Sequence, residues 1–149
     1  MSRERTVSAP ATTPDGAPGT VPVAPGLFTE GEAPHLVGAR CAACGSHLFP
    51  AKPQCPYCSS DDVRETALSS RGVLWAWTAV TAPPPGYRGD VPYGFGVVEL
   101  PEGIRVLARL TVADPAALEA GQPMDLRIVP LHTDDEGRTV TTFAFAPAP

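Results

Sequence analysis

Cys41-Ala42-Ala43-Cys44 and Cys55-Pro56-Tyr57-Cys58 are two CxxC hooks separated by Gly45–Gln54, and between them they hold all four cysteines of the chain. Two hooks at this distance can fold back on each other and offer four thiolates to one tetrahedral ion. Zinc is the default occupant, with Zn–S bonds of about 2.3 Å. Four protein ligands close the shell, so such a site holds structure and leaves no position for water or substrate. Gly45 follows the first hook, where a tight turn uses positive φ, and Pro56 presets part of the second. Two other readings stay open. A pair of disulfides needs an oxidising compartment, and an iron ion fits the same four-sulfur cage. Residues 1–25 contain no apolar signal core, so reduced cysteines and a cytoplasmic protein are the expectation.

The elements that must position these hooks follow from composition. The chain has 149 residues, net charge -5 and 7% aromatic residues. No stretch approaches the roughly 20 apolar residues that cross a bilayer. Four thiolates with Zn2+ add about -2 more, so little is gained from counterion release on a phosphate backbone, and nucleic acid is disfavoured as a partner. Residues 1–25 are rich in Pro, Ala, Thr and Gly and read as a disordered or extended tail. Residues 26–66 read as a turn or short helix near Phe28–Ala33, ended by Pro34, followed by a ribbon. Its strands are His35–Arg40 into the first hook, Ser46–Pro50 as the return, and Val63–Leu68 leading out.

Residues 67–149 read as all-β. Gly72–Thr81, Tyr93–Leu100, Ile104–Thr111, Met124–Leu131 and Thr139–Ala146 are strands. Asp114 caps a single helical turn that starts at Pro115. Five strands with a helical turn between the third and fourth match the Greek-key OB barrel. Its expected core is Val73, Trp75, Val97, Ile104, Val106, Leu110, Leu126, Ile128 and Phe143. Gly94 and Gly96 mark sharp coiling or close backbone approach.

In this order Leu36–Gly45 with its hook, Leu48-Phe49-Pro50, Cys55–Cys58, Leu68–Val73, Pro92-Tyr93-Gly94, Val97–Leu100, Glu102-Gly103 and Phe143-Ala144-Phe145 resemble the zinc-ribbon/OB-fold family catalogued as domain of unknown function thirty-five. The resemblance covers about residues 26–147. Ser59 departs from it, because the family usually has glycine after the second hook. The resemblance implies a rubredoxin-like zinc ribbon before the barrel, structural Zn2+ on Cys41, Cys44, Cys55 and Cys58, and a non-catalytic subunit. It also implies a thiolase-fold partner acting on acyl-CoA, such as a steroid side-chain aldolase, in a heterotetramer with one accessory chain on each side of a catalytic dimer. A hot-dog, MaoC-like enoyl-CoA hydratase is the alternative partner, and a single-stranded nucleic-acid module is the third reading.

Few other residues offer chemistry. His47 lies between the hooks as a surface residue or spare ligand. His35 starts a strand, and His132 ends one beside Thr133-Asp134-Asp135-Glu136, which reads as a solvated turn. No phosphate-binding, dinucleotide or serine-nucleophile motif occurs. The loop Pro83–Pro92 is the candidate contact surface, since its prolines lower the entropy lost on docking. Tyr87 and Arg88 are hot-spot residue types, and Arg88 is placed to meet a CoA phosphate. Tyr93 and Trp77 join them as candidate contacts. Trp75 and Trp77, two apart on one strand, are expected on the same face. Arg105 and Arg109 share a face, with Glu99 and Glu102 close enough in sequence to neutralise them.

Overall fold

The computed structural model describes residues 19–149. Its strands are β1 (Thr20–Pro22), β2 (Val37–Cys41), β3 (His47–Leu48), β4 (Val63–Ala67), β5 (Arg71–Val80), β6 (Tyr93–Glu99), β7 (Arg105–Leu110), β8 (Pro123–Thr133) and β9 (Thr139–Pro147). The short helix is a 3-10 turn at Pro115–Ala117, with the Asp114 carboxylate accepting from the Ala116 amide. The first three long-range strands, β2 to β4, form a sheet in the order β3-β2-β4. The rest close a barrel. β5 pairs with β6 and β6 with β7, all antiparallel; β7 runs parallel to β9; β8 joins β9 and returns to β5 at Arg71–Val73. Closure removes the free edges that an open five-stranded sheet would present. This is the expected all-β ribbon and five-stranded OB barrel.

Alternation fills the barrel. Gly94, Gly96 and Val98 of β6 turn inward, as do Val106, Ala108 and Leu110 of β7. A Cβ on Gly96 would sit 2.6 Å from the Ala76 carbonyl oxygen, and one on Gly94 would collide with the Val112 carbonyl. The two glycines are therefore positions of close backbone approach.

The expected core needs correction in β5 and β6. Val106, Leu110 and Leu126 are buried, and Ile104, Ile128 and Phe143 pack against the core partly exposed. Val73 and Trp75 are not in it: they are 40% and 52% exposed, and Leu74 is the buried residue. Val98, not Val97, is the fully buried valine opposite it. On β6 regular alternation puts Gly94, Gly96 and Val98 inward and Val97 outward; on β5 the two-residue spacing is broken by a β-bulge between Leu74 and Ala76. A bulge puts an extra residue on one strand and reverses its in-out phase. Before it, Gly72 and Leu74 face inward; after it, Trp77 packs against the core. Trp75 and Trp77 therefore point to opposite faces, contrary to the two-residue spacing.

Two N-terminal expectations also change. The tail placed at residues 1–25 falls outside the described residues through residue 18, but its end is ordered on the barrel. β1 lies parallel on β9, from Thr20↔Thr139 to Pro22↔Thr141, and the Val23 amide donates to the Thr141 carbonyl at 2.8 Å. A three-residue strand is too short to show periodicity. Residues 28–33 form no helix. Phe28 pairs with Leu36 in one antiparallel bridge, and Gly31 sits at φ +112° in the loop between them. The Thr29 hydroxyl accepts from the His35 amide at 3.1 Å and closes that loop.

The ribbon does not stand apart from the barrel. Phe28, Leu36 and Leu68 belong to one buried cluster with Leu74, Val98, Met124 and Phe145. Phe28 and Phe49 pack edge-on against Phe143 of β9, with ring centroids 6.2 and 5.7 Å away. At the junction, the Glu102 carboxylate accepts from both the Ser69 amide (2.8 Å) and the Ser69 hydroxyl (3.0 Å). Among the described residues no helix is long and apolar enough to cross a membrane.

Candidate functional site

The two hooks are built alike. Cys41 ends β2, and the Gly45 amide returns to the Cys41 carbonyl at 2.8 Å; the Ser59 amide returns to the Cys55 carbonyl at 2.9 Å. Gly45 closes its turn at φ +80° and Ser59 at φ +69°. Only the first of these is a residue that reaches the left-handed region without steric cost. The departure at Ser59 is thus a strained non-glycine residue in a turn whose twin uses glycine.

The hooks bring Cys41, Cys44, Cys55 and Cys58 together, with all four sulfurs within 4.8 Å of one another. Cys41 Sγ and Cys58 Sγ are 3.6 Å apart, and Cys44 Sγ and Cys55 Sγ 3.7 Å. A tetrahedral ion with bonds of about 2.3 Å needs sulfur–sulfur edges of about 3.8 Å. The cage therefore has the dimensions of a four-sulfur metal site. Cys41 and Cys55 are buried and Cys44 and Cys58 exposed. The Tyr57 amide points at Cys55 Sγ from 3.4 Å. His47 pairs with Arg40 across β2 and β3 and is outside the cluster.

Electrostatics point the same way. The Ser46 hydroxyl, then its amide, hold the Cys44 thiol down to about 6. The Cys44 amide lowers Cys41. The Ser60 amide favours a Cys58 thiolate, yet the neighbouring sulfurs of Cys41, Cys44 and Cys55 and burial push that thiol up to about 12. Four sulfurs this close cannot all carry charge without a cation among them.

The proposed contact residues separate into two places. Tyr87 and Tyr93 meet, with ring centroids 5.1 Å apart. The Tyr87 hydroxyl donates to the Asp90 carbonyl (2.9 Å) and accepts from Arg109 (2.8 Å), whose guanidinium lies 4.3 Å over the Tyr93 ring. Arg88 donates to the Thr133 carbonyl at 3.1 Å and pairs with Asp135 at 3.3 Å. Trp77 is elsewhere. Its indole N–H donates to the Pro115 carbonyl at 3.0 Å and its ring packs on the core. The acidic run near His132 is a turn. The Arg138 amide, then its side chain, hold Asp134 below the usual carboxylate range.

Sequence reasoning placed Arg105 and Arg109 on one face of β7 with Glu99 beside them, but missed Trp75 and Leu107 there. Arg105 lies 4.0 Å over Trp75 and pairs with Glu99 at 3.4 Å. Glu102 does not neutralise it, because that carboxylate holds Ser69. Leu107, between Arg105 and Arg109, is 63% exposed. The period-2 pattern of Arg105, Leu107 and Arg109 was the available signal.

Comparison with known proteins finds two family patterns. Residues 28–64 match "ChsH2, rubredoxin-like zinc ribbon domain", and residues 65–129 match "ChsH2, C-terminal OB-fold domain". A "DUF35 domain-containing scaffold protein" of Pyrococcus furiosus is 34% identical over 113 residues, 75% of this chain and 82% of that one. "Benzoylsuccinyl-CoA thiolase subunit BbsA" of Thauera aromatica is 30% identical over 116 residues, 78% of each chain. Among solved structures, a chain of the "Ltp2-ChsH2(DUF35) aldolase" superposes with a TM-score of 0.60 at 32% identity, over 77% of this chain and 86% of that one.

Proposed function

The chain belongs to the ChsH2-type family of zinc-ribbon and OB-fold proteins, and from that premise we propose that it is the non-catalytic accessory subunit of a thiolase-superfamily enzyme acting on acyl-CoA thioesters. The observation that carries this reading is the likeness, across both ribbon and barrel, to a chain of the Ltp2-ChsH2(DUF35) aldolase. The likeness to a thiolase subunit supports it independently.

In this reading Cys41, Cys44, Cys55 and Cys58 hold one structural Zn2+, and sulfur–sulfur separations of 3.6 and 3.7 Å support that assignment. The ion closes the knuckle and leaves no ligand position for chemistry. From residue 26 the chain divides into a ribbon over 26–66 and a barrel from 67 to the end, to whose sheet Thr20–Pro22 adds a strand. Leu36, Leu68 and the Glu102–Ser69 hydrogen bonds fix the ribbon against the barrel. The protein thus presents one rigid surface to its partner in a cytoplasmic heterotetramer, two accessory chains to a catalytic dimer. Tyr87, Arg88 and Tyr93 are the contacts nearest the CoA entrance. Trp77 leaves that set, because its indole is committed to Pro115.

Co-expression tests the function. With a thiolase-fold subunit of its host the chain should elute as one complex of 2:2 mass. Separate elution from every such subunit overturns the reading, and a complex formed only with a hot-dog hydratase replaces it. Turnover of an acyl-CoA thioester by the purified chain alone overturns the non-catalytic assignment. One zinc per chain by elemental analysis tests the metal.

A further inference from the structure

Three of the large hydrophobic side chains that the protein leaves exposed adjoin Arg105, which shares a groove with Tyr57, lies 4.0 Å over Trp75 and precedes Leu107 by two on β7. Tyr57 (68% exposed) projects from the second hook, Trp75 from the bulge of β5, and Leu107 (63%) from the middle of β7. Two grooves flank them, with Trp75 outside both and under Arg105. One, of about 420 Å3, runs between ribbon and barrel and is lined by Lys52, Tyr57 and Arg105. The other, of about 250 Å3, lies beyond β7 where it diverges from β9, and is lined by Leu107, Arg109 and Phe143. Arg105 to Arg109 alone span about 13 Å at roughly 3.3 Å per residue. Large apolar side chains grouped on one exposed face of a monomer mark an interaction site.

The charge on this face opposes that of the whole molecule. The chain carries -5, but the face presents Lys52, Arg105 and Arg109. Lys52 has no ion-pair partner among the described residues. Arg105 has Glu99 alone, at 3.4 Å. Arg109 is held by a phenol oxygen and a ring rather than a carboxylate. Both guanidiniums are already seated on aromatic faces, Arg105 on Trp75 and Arg109 on Tyr93. Those faces are therefore closed to a stacking base. The same seating fixes long side chains before docking and lowers the entropy lost on binding. Trp, Tyr and Arg around an exposed leucine are the composition of an interface hot spot.

We propose that the strip from Tyr57 through Trp75, Arg105 and Leu107 to Arg109 is the docking face for the catalytic subunit, and that it takes a partner surface with an apolar centre bordered by carboxylates. This rests on the accessory-subunit reading and adds to it the face and the chemistry of its complement. The face is composite: the ribbon supplies one end and the barrel the other, so the knuckle must be closed for Tyr57 to share a groove with Arg105.

The test co-expresses the full chain with the thiolase-fold subunits of its host, one at a time, and measures affinity within the complex that forms. Leu107→Asp should weaken binding about 100-fold and Arg109→Glu about tenfold. Arg127→Glu, on β8 with β9 between it and β7, should bind as wild type. Metal content and thermal midpoint of each variant are measured alongside; Leu107→Ala, which only truncates an exposed side chain, should weaken binding in the same direction and covers misfolding of the aspartate variant. If the complex forms and the strip variants bind as wild type, the face is wrong and the accessory reading stands. If no thiolase-fold subunit binds wild-type chain, the function fails and the face fails with it. If the isolated chain is a dimer that Leu107→Asp makes monomeric, the strip serves a second copy and the proposal is overturned.

Discussion

The phase of β5 gives the sharpest quantitative test of the fold. Leu74 is 1% exposed and sits against Val98 and the other buried residues of the barrel, whereas Val73, beside it, is 40% exposed. Truncating a fully buried leucine to alanine removes transfer free energy and leaves a cavity, together about 3 kcal/mol within a range of roughly 2–5. Val73→Ala removes two methyl groups that are already partly in water and should cost under about 1 kcal/mol. With a urea m value of about 2 kcal/mol/M, Leu74→Ala lowers the unfolding midpoint by about 1.5 M and Val73→Ala by less than about 0.5 M. The tryptophans repeat the contrast. Trp77→Phe loses the hydrogen bond to Pro115 and should cost about 1 kcal/mol, while Trp75→Phe should be close to neutral because that ring stands in solvent under Arg105. Urea titration followed by far-UV circular dichroism measures all four. A larger loss for Val73→Ala than for Leu74→Ala would falsify the inward face assigned to the start of β5, and a larger loss for Trp75→Phe than for Trp77→Phe would refute the bulge.

Chelation at neutral pH should expose amides of residues 35–60 to rapid deuterium exchange while β5 to β9 stay protected, because metal binding supplies most of the stability of so small a ribbon; equal protection with and without metal would refute the cage. Ser59→Gly relieves a left-handed serine that costs about 1–2 kcal/mol, offset by about 0.4–1 kcal/mol of added unfolded-state entropy, so the variant should hold its metal longer against a competing chelator, and faster loss would contradict the strain. Hydrogen bonds from Arg71, opposed by burial and aided by its charge, keep Asp125 below the usual carboxylate range. Its contribution is therefore complete above about pH 4, the unfolded value, and disappears as pH falls through the lower folded value; Asp125→Asn should flatten that acid limb in a pH series of unfolding midpoints. Glu102→Gln keeps an acceptor for Ser69 and should be tolerated, whereas Glu102→Ala leaves the Ser69 amide unpaired and should cost about 1–3 kcal/mol, read as a lower thermal midpoint.

The sequence by itself determined the four-cysteine cluster and most of the strands, for a local reason. CxxC spacing is a property of adjacent residues, and β-branched runs between Pro and Gly breaks are read within a few positions. The Asp114 cap and the Pro115 turn were legible in the same way. Ser59 was legible as a departure, and its φ of +69° gives the physical content. Only the tertiary structure decided which way β5 faces. A bulge adds one residue without a sequence mark of its own, and everything after it changes side. It likewise decided that Trp75 carries Arg105 outside while Trp77 is tied down at Pro115, that Glu102 serves the ribbon–barrel junction rather than an arginine, and that Thr20–Pro22 extends the sheet. Each of these depends on a partner far away in the chain, and spacing along a strand carries no information about what lies across from it.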